Sequence, residues 1–214
     1  AFGQSFQITA IQLLTTASSI INGGNRITPH FGIEALNRDG EVEETFSYPV
    51  QTGIVSEETS ATMRYILEMV VAEGSGRNGQ VQGFRVGGKT ATSEIQPEYD
   101  SDGKVLDTED RYTASFIGVA PMDDPQIAVL VMLDTPHDEQ ETYYGGRLAA
   151  PVVQSVLDEA LQTLGVPKEY TEAELAKVET AVPNVAGSSV NAAAGKLRES
   201  GFNVDIERAT GDTV

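Results

Sequence analysis

The apolar run "IAVLVML" at 127–133 restricts the fold more than any other stretch of the chain. It is far shorter than the roughly 20 residues a helix needs to span a bilayer, and it is a good length for a strand. With no polar alternation, such a strand suits the middle of a sheet, where both faces are covered. Two other stretches supply partners for it. Residues 84–95 and 113–120 also read as strands, with a turn region about Asp102-Gly103 between them. Met122 to Pro125 then makes a tight link to the strand at 126–134.

Helices are expected on either side of these strands. In "TAIQLLTTASSIIN" at 9–22, Ile11, Leu14, Ala17, Ser18 and Ile21 fall near one stripe, with Thr9 as cap and Gly23-Gly24 as stop. A small hairpin comes next, about Asp39-Gly40. Ser56, Glu57 and Glu58 open a second helix through about Ala72, with Met63, Ile66, Leu67 and Val70 at three- and four-residue spacing. Further on, "LAAPVVQSVLDEALQTLG" carries Val152, Val156, Leu157, Ala160, Leu161 and Leu164 on one face, and this helix is expected to cover the sheet. Residues 167–181 are charged and poorly periodic, as a linker would be. The tail holds an extended start, an Ala-rich helix ended by Gly201 and a strand from Phe202 to about Ile206, and it stops before it could close a core.

Charge removes one class of partner. With 32 acidic against 14 basic residues, a net charge of -18 and no concentrated basic patch, the chain would be repelled by nucleic acid. The absence of cysteine excludes disulfides, thiolate metal sites and cysteine nucleophiles. Ala1, without an initiator methionine or a signal pattern, leads to the expectation of a cut or processed amino end.

The stretch with most chemistry in it is "RVGGKTATSE" at 85–94. Gly83, Gly88, Lys89 and Thr90 satisfy the letters of a phosphate-binding loop. The next residues, "ATSEIQPEY", are a poor opening for the helix whose amino end would hold phosphates. An edge strand fits these residues better. Thr90 and Thr92 then project to one side, two hydroxyls suited to a carboxylate, while backbone N–H groups on the edge can meet an extended peptide or an oxyanion. Lys89 adds positive charge.

Together, "VQGFRVGGKTATSE" and "TASFIGVAPMDDPQIAVLVMLDTP" resemble the carboxyl-terminal part of the transpeptidase domain of class B penicillin-binding proteins, whose motifs are Ser-x-x-Lys, Ser-x-Asn and Lys-Thr-Gly. The resemblance extends from "FGQSFQITAIQLL" through "SEETSATMRYILEMVV" to "GGRLAAPVVQSVLDEALQTLG", in family order over residues 2–166. The tail from Val182 resembles the first half of a PASTA module. The resemblance implies an α/β (α+β) fold of the penicillin-binding-protein and β-lactamase type: the later half of a transpeptidase domain at 1–166, a linker at 167–181 and a partial PASTA module at 182–214.

It also implies a role for each residue of the strand. Lys89 would line the cleft opposite a serine nucleophile, Thr90 and Thr92 would bind the substrate carboxylate, and the Thr92 backbone N–H would be one of two oxyanion donors. Ala91, beside them in the substrate-binding wall, stands where the family usually has glycine, and its methyl is expected to crowd the lysine side of the strand or to alter the fit of a β-lactam. The expected reaction is cross-linking of peptidoglycan stem peptides through a serine ester, with β-lactam antibiotics as covalent mimics. The expected partners are those peptides, those antibiotics, the amino-terminal part of the same protein, and cell-division or sporulation proteins. Neither cofactor nor metal is implied. The parent would be a Gram-positive-type enzyme at the extracytoplasmic face of the membrane, anchored by an amino-terminal segment. A non-catalytic wall-binding piece acting through the tail, and a serine β-lactamase or D,D-carboxypeptidase, stand as alternatives.

Both missing motifs are expected before residue 1, so this chain would lack the nucleophile, the base and the second oxyanion donor. Ser101-Asp102-Gly103-Lys104 spells Ser-x-x-Lys across a turn, where serine and lysine cannot lie one helical turn apart. Ser189-Val190-Asn191 spells Ser-x-Asn in the tail and is expected at the surface. Asp100 to Gly103 hints at a calcium loop, but Arg111 holds the place of the closing glutamate. His30 and His137 have no second histidine at ligand spacing, and Tyr143-Tyr144 reads as core ahead of rim.

Overall fold

A computed structural model describes residues 8–95, 99–106, 111–137, 142–172, 174–175, 182–200, 202 and 204. The chain divides into two compact units, Ala1–Lys168 and Glu169–Val214. No described helix is long and apolar enough to cross a membrane.

The first unit begins with helix α1 (Ala10–Ile21), closed at its start by a capping box. Thr9 Oγ1 accepts from the Gln12 N–H, and Gln12 Oε1 accepts from the Thr9 N–H, so two donors that no helix turn could satisfy are paired. An arm of four short strands comes next: β1 (Arg26–Ile27), β2 (Glu34–Leu36), β3 (Val42–Thr45) and β4 (Val50–Gln51). They pair antiparallel as β1 with β4 and β2 with β3. Helix α2 (Glu57–Ala72) starts at Ser56, whose side chain accepts from the Thr59 N–H, with Glu57 and Glu58 in the turn where the helix dipole favours negative charge. Its buried Ser60 takes the Gly23 N–H at 2.9 Å, and Arg64 donates to Ile21 O at 2.9 Å, which fixes α2 against the end of α1.

Three strands form the main sheet: β5 (Gly87–Glu94), β6 (Tyr112–Ala120) and β7 (Ile127–Asp134), antiparallel throughout. β6 lies in the middle and β7 at an edge among the described residues. Among the described residues the strand of the apolar run is paired on one side, by β6, where the sequence suits it to the middle of a sheet. It is covered on its faces, since Ile127, Val129, Val131 and Leu133 pack on one cluster and Ala128 on another. Periodicity reports cover over a face and is silent about neighbours along the hydrogen-bonding direction.

A short helix α3 (Gly145–Leu148) leads into α4 (Ala150–Thr163), which lies on β6 and β7. The face it buries is Ala150, Val153, Leu157 and Leu161, while Val152, Val156 and Leu164 are exposed. Leu157 and Leu161 lie where the expected stripe places them, and Val153 takes the place expected of Val152. The cause lies in the sheet: a Cβ placed on Gly118 would come within 2.4 Å of Val153 Cγ1, so Val153 fills the hollow which that glycine leaves. In α1 and α2 the expected Ile21 is buried and Leu67 packs beside it, Ile11 and Ile66 are exposed, and Ser19, Ser60 and Val71 are buried in addition.

In the second unit, helix α5 (Val190–Glu199) is capped by Ser189, whose hydroxyl accepts from the Ala192 N–H. The Ser-x-Asn letters at 189–191 thus belong to a helix start, with Ser189 and Asn191 both exposed. The strand expected from Phe202 to Ile206 lies mostly outside the described residues.

Candidate active site

β5 positions the residues of "GGKTATSE" by two rules of strand geometry. Side chains alternate, so Lys89 and Ala91, opposite Ile117 and Ser115, leave one face, while Thr90 and Thr92, opposite Phe116 and Ala114, leave the other. Backbone groups alternate as well. The Ile95 N–H donates to Arg111 O at 2.8 Å and extends the ladder by one pair. Residues 93, 91 and 89 therefore exchange bonds with β6, and residues 94, 92 and 90 turn their N–H and C=O groups to the opposite edge. That edge carries no further strand among the described residues.

The consequence is a concentration of donors. The Thr92 N–H points out along the edge, and the Lys89 ammonium is there too, since Lys89 Nζ donates to Thr90 O at 2.6 Å. Lys89 and Ala91 are exposed and Thr90 and Thr92 half-buried. The Ala91 methyl is thus on Lys89's side of the strand and open to solvent.

On the threonine face lies a cleft of about 450 Å³, lined by Ser75, Arg77, Asn78, Thr90, Thr92 and Tyr144 among others. The turn after α2 and the start of α3 form its walls. Ser75 Oγ and Thr90 Oγ1 share a hydrogen bond at 3.1 Å, and the Gly145 N–H donates to Thr92 Oγ1 at 3.3 Å. Asn78 Nδ2 donates to Gly146 O at 2.9 Å and joins the two walls. Both glycines are required by close approach. A Cβ on Gly145 would come within 2.1 Å of Ser115 O and 2.4 Å of Ala91 O, and one on Gly146 within 2.4 Å of Ser75 O. Arg77 and Arg147 line this cleft, on a chain of net charge -18.

Ser75, Asn78, Gly145 and Gly146 were not among the residues singled out from the sequence. The doublet "YYGG" at 143–146 was the available signal. Tyr143 is half-buried and stacks on Tyr112 with centroids 4.1 Å apart, whereas Tyr144 is exposed at the cleft rim. The first tyrosine thus packs at the end of β6 without entering the core and the second stands at the rim, because only the first lies flat against a ring carried by the sheet.

The remaining candidates take structural places. Asp100 Oδ1 accepts from the N–H groups of Asp102 and Lys104, at 2.9 and 2.8 Å, so Ser101 and Lys104 belong to a tight turn. His30 stacks on Tyr48 at 3.8 Å, and His137 contacts Thr135 O at 3.1 Å. No cluster of three or more metal-ligating side chains occurs among the described residues.

Residues 1–158 match the family model of the penicillin binding protein transpeptidase domain. The chain is 40% identical over 199 residues to stage V sporulation protein D of Bacillus subtilis, covering 89% of this chain and 29% of that protein. It is 30% identical over 173 residues to penicillin-binding protein PbpB of Mycolicibacterium smegmatis, covering 77% of this chain and 26% of that one. Among solved structures it is similar to penicillin-binding protein 3 of Mycobacterium tuberculosis in complex with ampicillin, with a TM-score of 0.64 and 26% identity over 79% of this chain and 38% of that chain. The chain thus spans less than two fifths of the length of each of these three proteins.

Proposed function

The chain belongs to the penicillin-binding-protein transpeptidase family, and from that premise we propose that β5 forms one wall of the acyl-transfer site of a peptidoglycan D,D-transpeptidase. In this reading a serine hydroxyl, supplied by a part of the protein outside these residues, attacks the carbonyl carbon of the penultimate D-alanine of a stem peptide. The terminal D-alanine leaves with a proton, and an amine of a neighbouring strand then displaces the serine oxygen from the ester. The Thr92 N–H faces the oxyanion of each tetrahedral intermediate, Thr90 and Thr92 hydroxyls bind the terminal carboxylate, and Lys89 supplies positive charge on the same edge. A penicillin takes the first half of this path and remains as the ester.

The observation that carries the reading is the register of β5, which turns the Thr92 N–H to the open edge beside the Lys89 ammonium. The ampicillin complex of a similar protein adds support. The test is labelling with a fluorescent penicillin. The full-length protein is expected to take label that Thr92→Pro abolishes, since proline has no N–H, and the 214-residue chain alone is expected to take none. Label on the chain alone would place the nucleophile within it and overturn this reading.

The same proposal extends to organisation. Residues 1–166 are taken as the later part of the transpeptidase domain, 167–181 as a linker and 182–214 as the first half of a PASTA module. The division after Lys168 and the helix at Val190–Glu199 support it. The parent is taken as a Gram-positive-type enzyme anchored at the extracytoplasmic face of the membrane, and the 40% identity to a sporulation protein favours sporulation over the other roles.

A further inference from the structure

The turn after α2 reaches the threonine face of β5 from 15 residues away, and its only hydroxyl meets the first threonine there. We propose that Ser75 is a positioning residue for carboxylate recognition, holding the Thr90 hydroxyl so that its proton points to the ligand. The inference deepens the transpeptidase reading and rests on it.

The argument is one of proton inventory. A hydroxyl carries one proton and accepts through two lone pairs, and a carboxylate only accepts. A threonine that spends its proton on a protein acceptor is useless to a carboxylate, and one that accepts from the protein has its proton left to give. Thr92 is loaded in the useful sense, because its partner is a backbone N–H, that of Gly145. Either hydroxyl of the 3.1 Å Ser75–Thr90 bond can donate, and the proposed role is the arrangement in which Ser75 donates and Thr90 accepts.

The turn is held where it can do this. The Gly76 N–H donates to Val70 O at 3.0 Å and the Gly79 N–H to Gly76 O at 2.8 Å. Asn78 ties the turn to Gly146, and Gly146 lies so close to Ser75 O that no side chain fits between them. Two threonines in one row are thereby turned into a matched pair of donors by two segments that lie apart in the chain. Because the Ser75–Thr90 bond is exposed, its effect is one of orientation, modest in size and specific to ligands with a carboxylate.

The experiment compares the acylation rate of the full-length protein by a penicillin and by the methyl ester of the same penicillin. Ser75→Ala is expected to slow acylation by the free acid about tenfold, the loss of one well-placed hydrogen bond, and to leave the ester rate unchanged. Ser75→Thr, which keeps the hydroxyl, is expected to restore the free-acid rate. Equal slowing of both compounds by Ser75→Ala, or no slowing of either, overturns the positioning role while leaving the transpeptidase reading intact. A wild-type protein that neither compound acylates overturns both. A melting scan of each variant identifies unfolding, and a folded Ser75→Thr that stays as slow as Ser75→Ala also rejects the proposal.

Discussion

The main sheet and the arm at 26–51 use the same antiparallel hydrogen bonds and are held by different forces. In β6, Ala114, Phe116, Val119 and Ala120 are almost wholly buried beneath helices on both faces. In the arm, every residue of β1, β3 and β4 is exposed, and only Ala35 in β2 is half-buried. Local polar contacts hold it instead. Asn37 Oδ1 accepts the Asp39 and Glu41 N–H groups at 3.0 Å, Thr28 Oγ1 donates to Pro49 O at 2.7 Å, and the Tyr48 hydroxyl donates to Gly32 O at 2.8 Å. Backbone pairing sets a strand's register in both places, but burial of apolar area sets how much a change there costs.

The contrast can be broken from the sheet side first. Phe116→Ala removes the largest wholly buried side chain among the described residues and is expected to lose about 3–5 kcal/mol, read from denaturant midpoints. Gly145→Ala pushes a methyl against the carbonyls of Ser115 and Ala91, and is expected to cost about 3 kcal/mol, near the top of the range for overpacking. It should also reduce penicillin labelling, because the Thr92 hydroxyl loses its partner. Val153→Ala empties the hollow over Gly118 and is expected to cost roughly 2 kcal/mol, and Val156→Ala on the exposed face well under half of that. Smallest of all, Phe31→Ser in the arm, where the ring is fully exposed, should change stability by no more than about 0.5 kcal/mol. A loss above about 1.5 kcal/mol there would mean that the arm has a cover of its own and that the contrast is false.

Element boundaries were legible from local chemistry. Thr9 and Ser56 cap the helices they were expected to cap, and the three strands fall within a few residues of their expected limits. The buried faces were less legible. In "LAAPVVQSVL" two adjacent valines each satisfy a helical stripe, and the choice between them is made by Gly118, a residue on another element. The cleft divides in the same manner. Period-two spacing alone put Thr90 and Thr92 side by side, because both sit on one strand. Ser75 and Gly145 stayed hidden because they approach from 15 and 53 residues away, and no local pattern announces a contact made by chain return.

The bond from Gly145 N–H to Thr92 Oγ1 also bears on where such a protein can be cut or grafted. A piece trimmed just after β7 keeps every letter of the lysine strand and loses the donor that orients its second threonine. The smallest transplantable cleft wall is therefore a three-part unit, running from the turn at Ser75 to the first turn of α3.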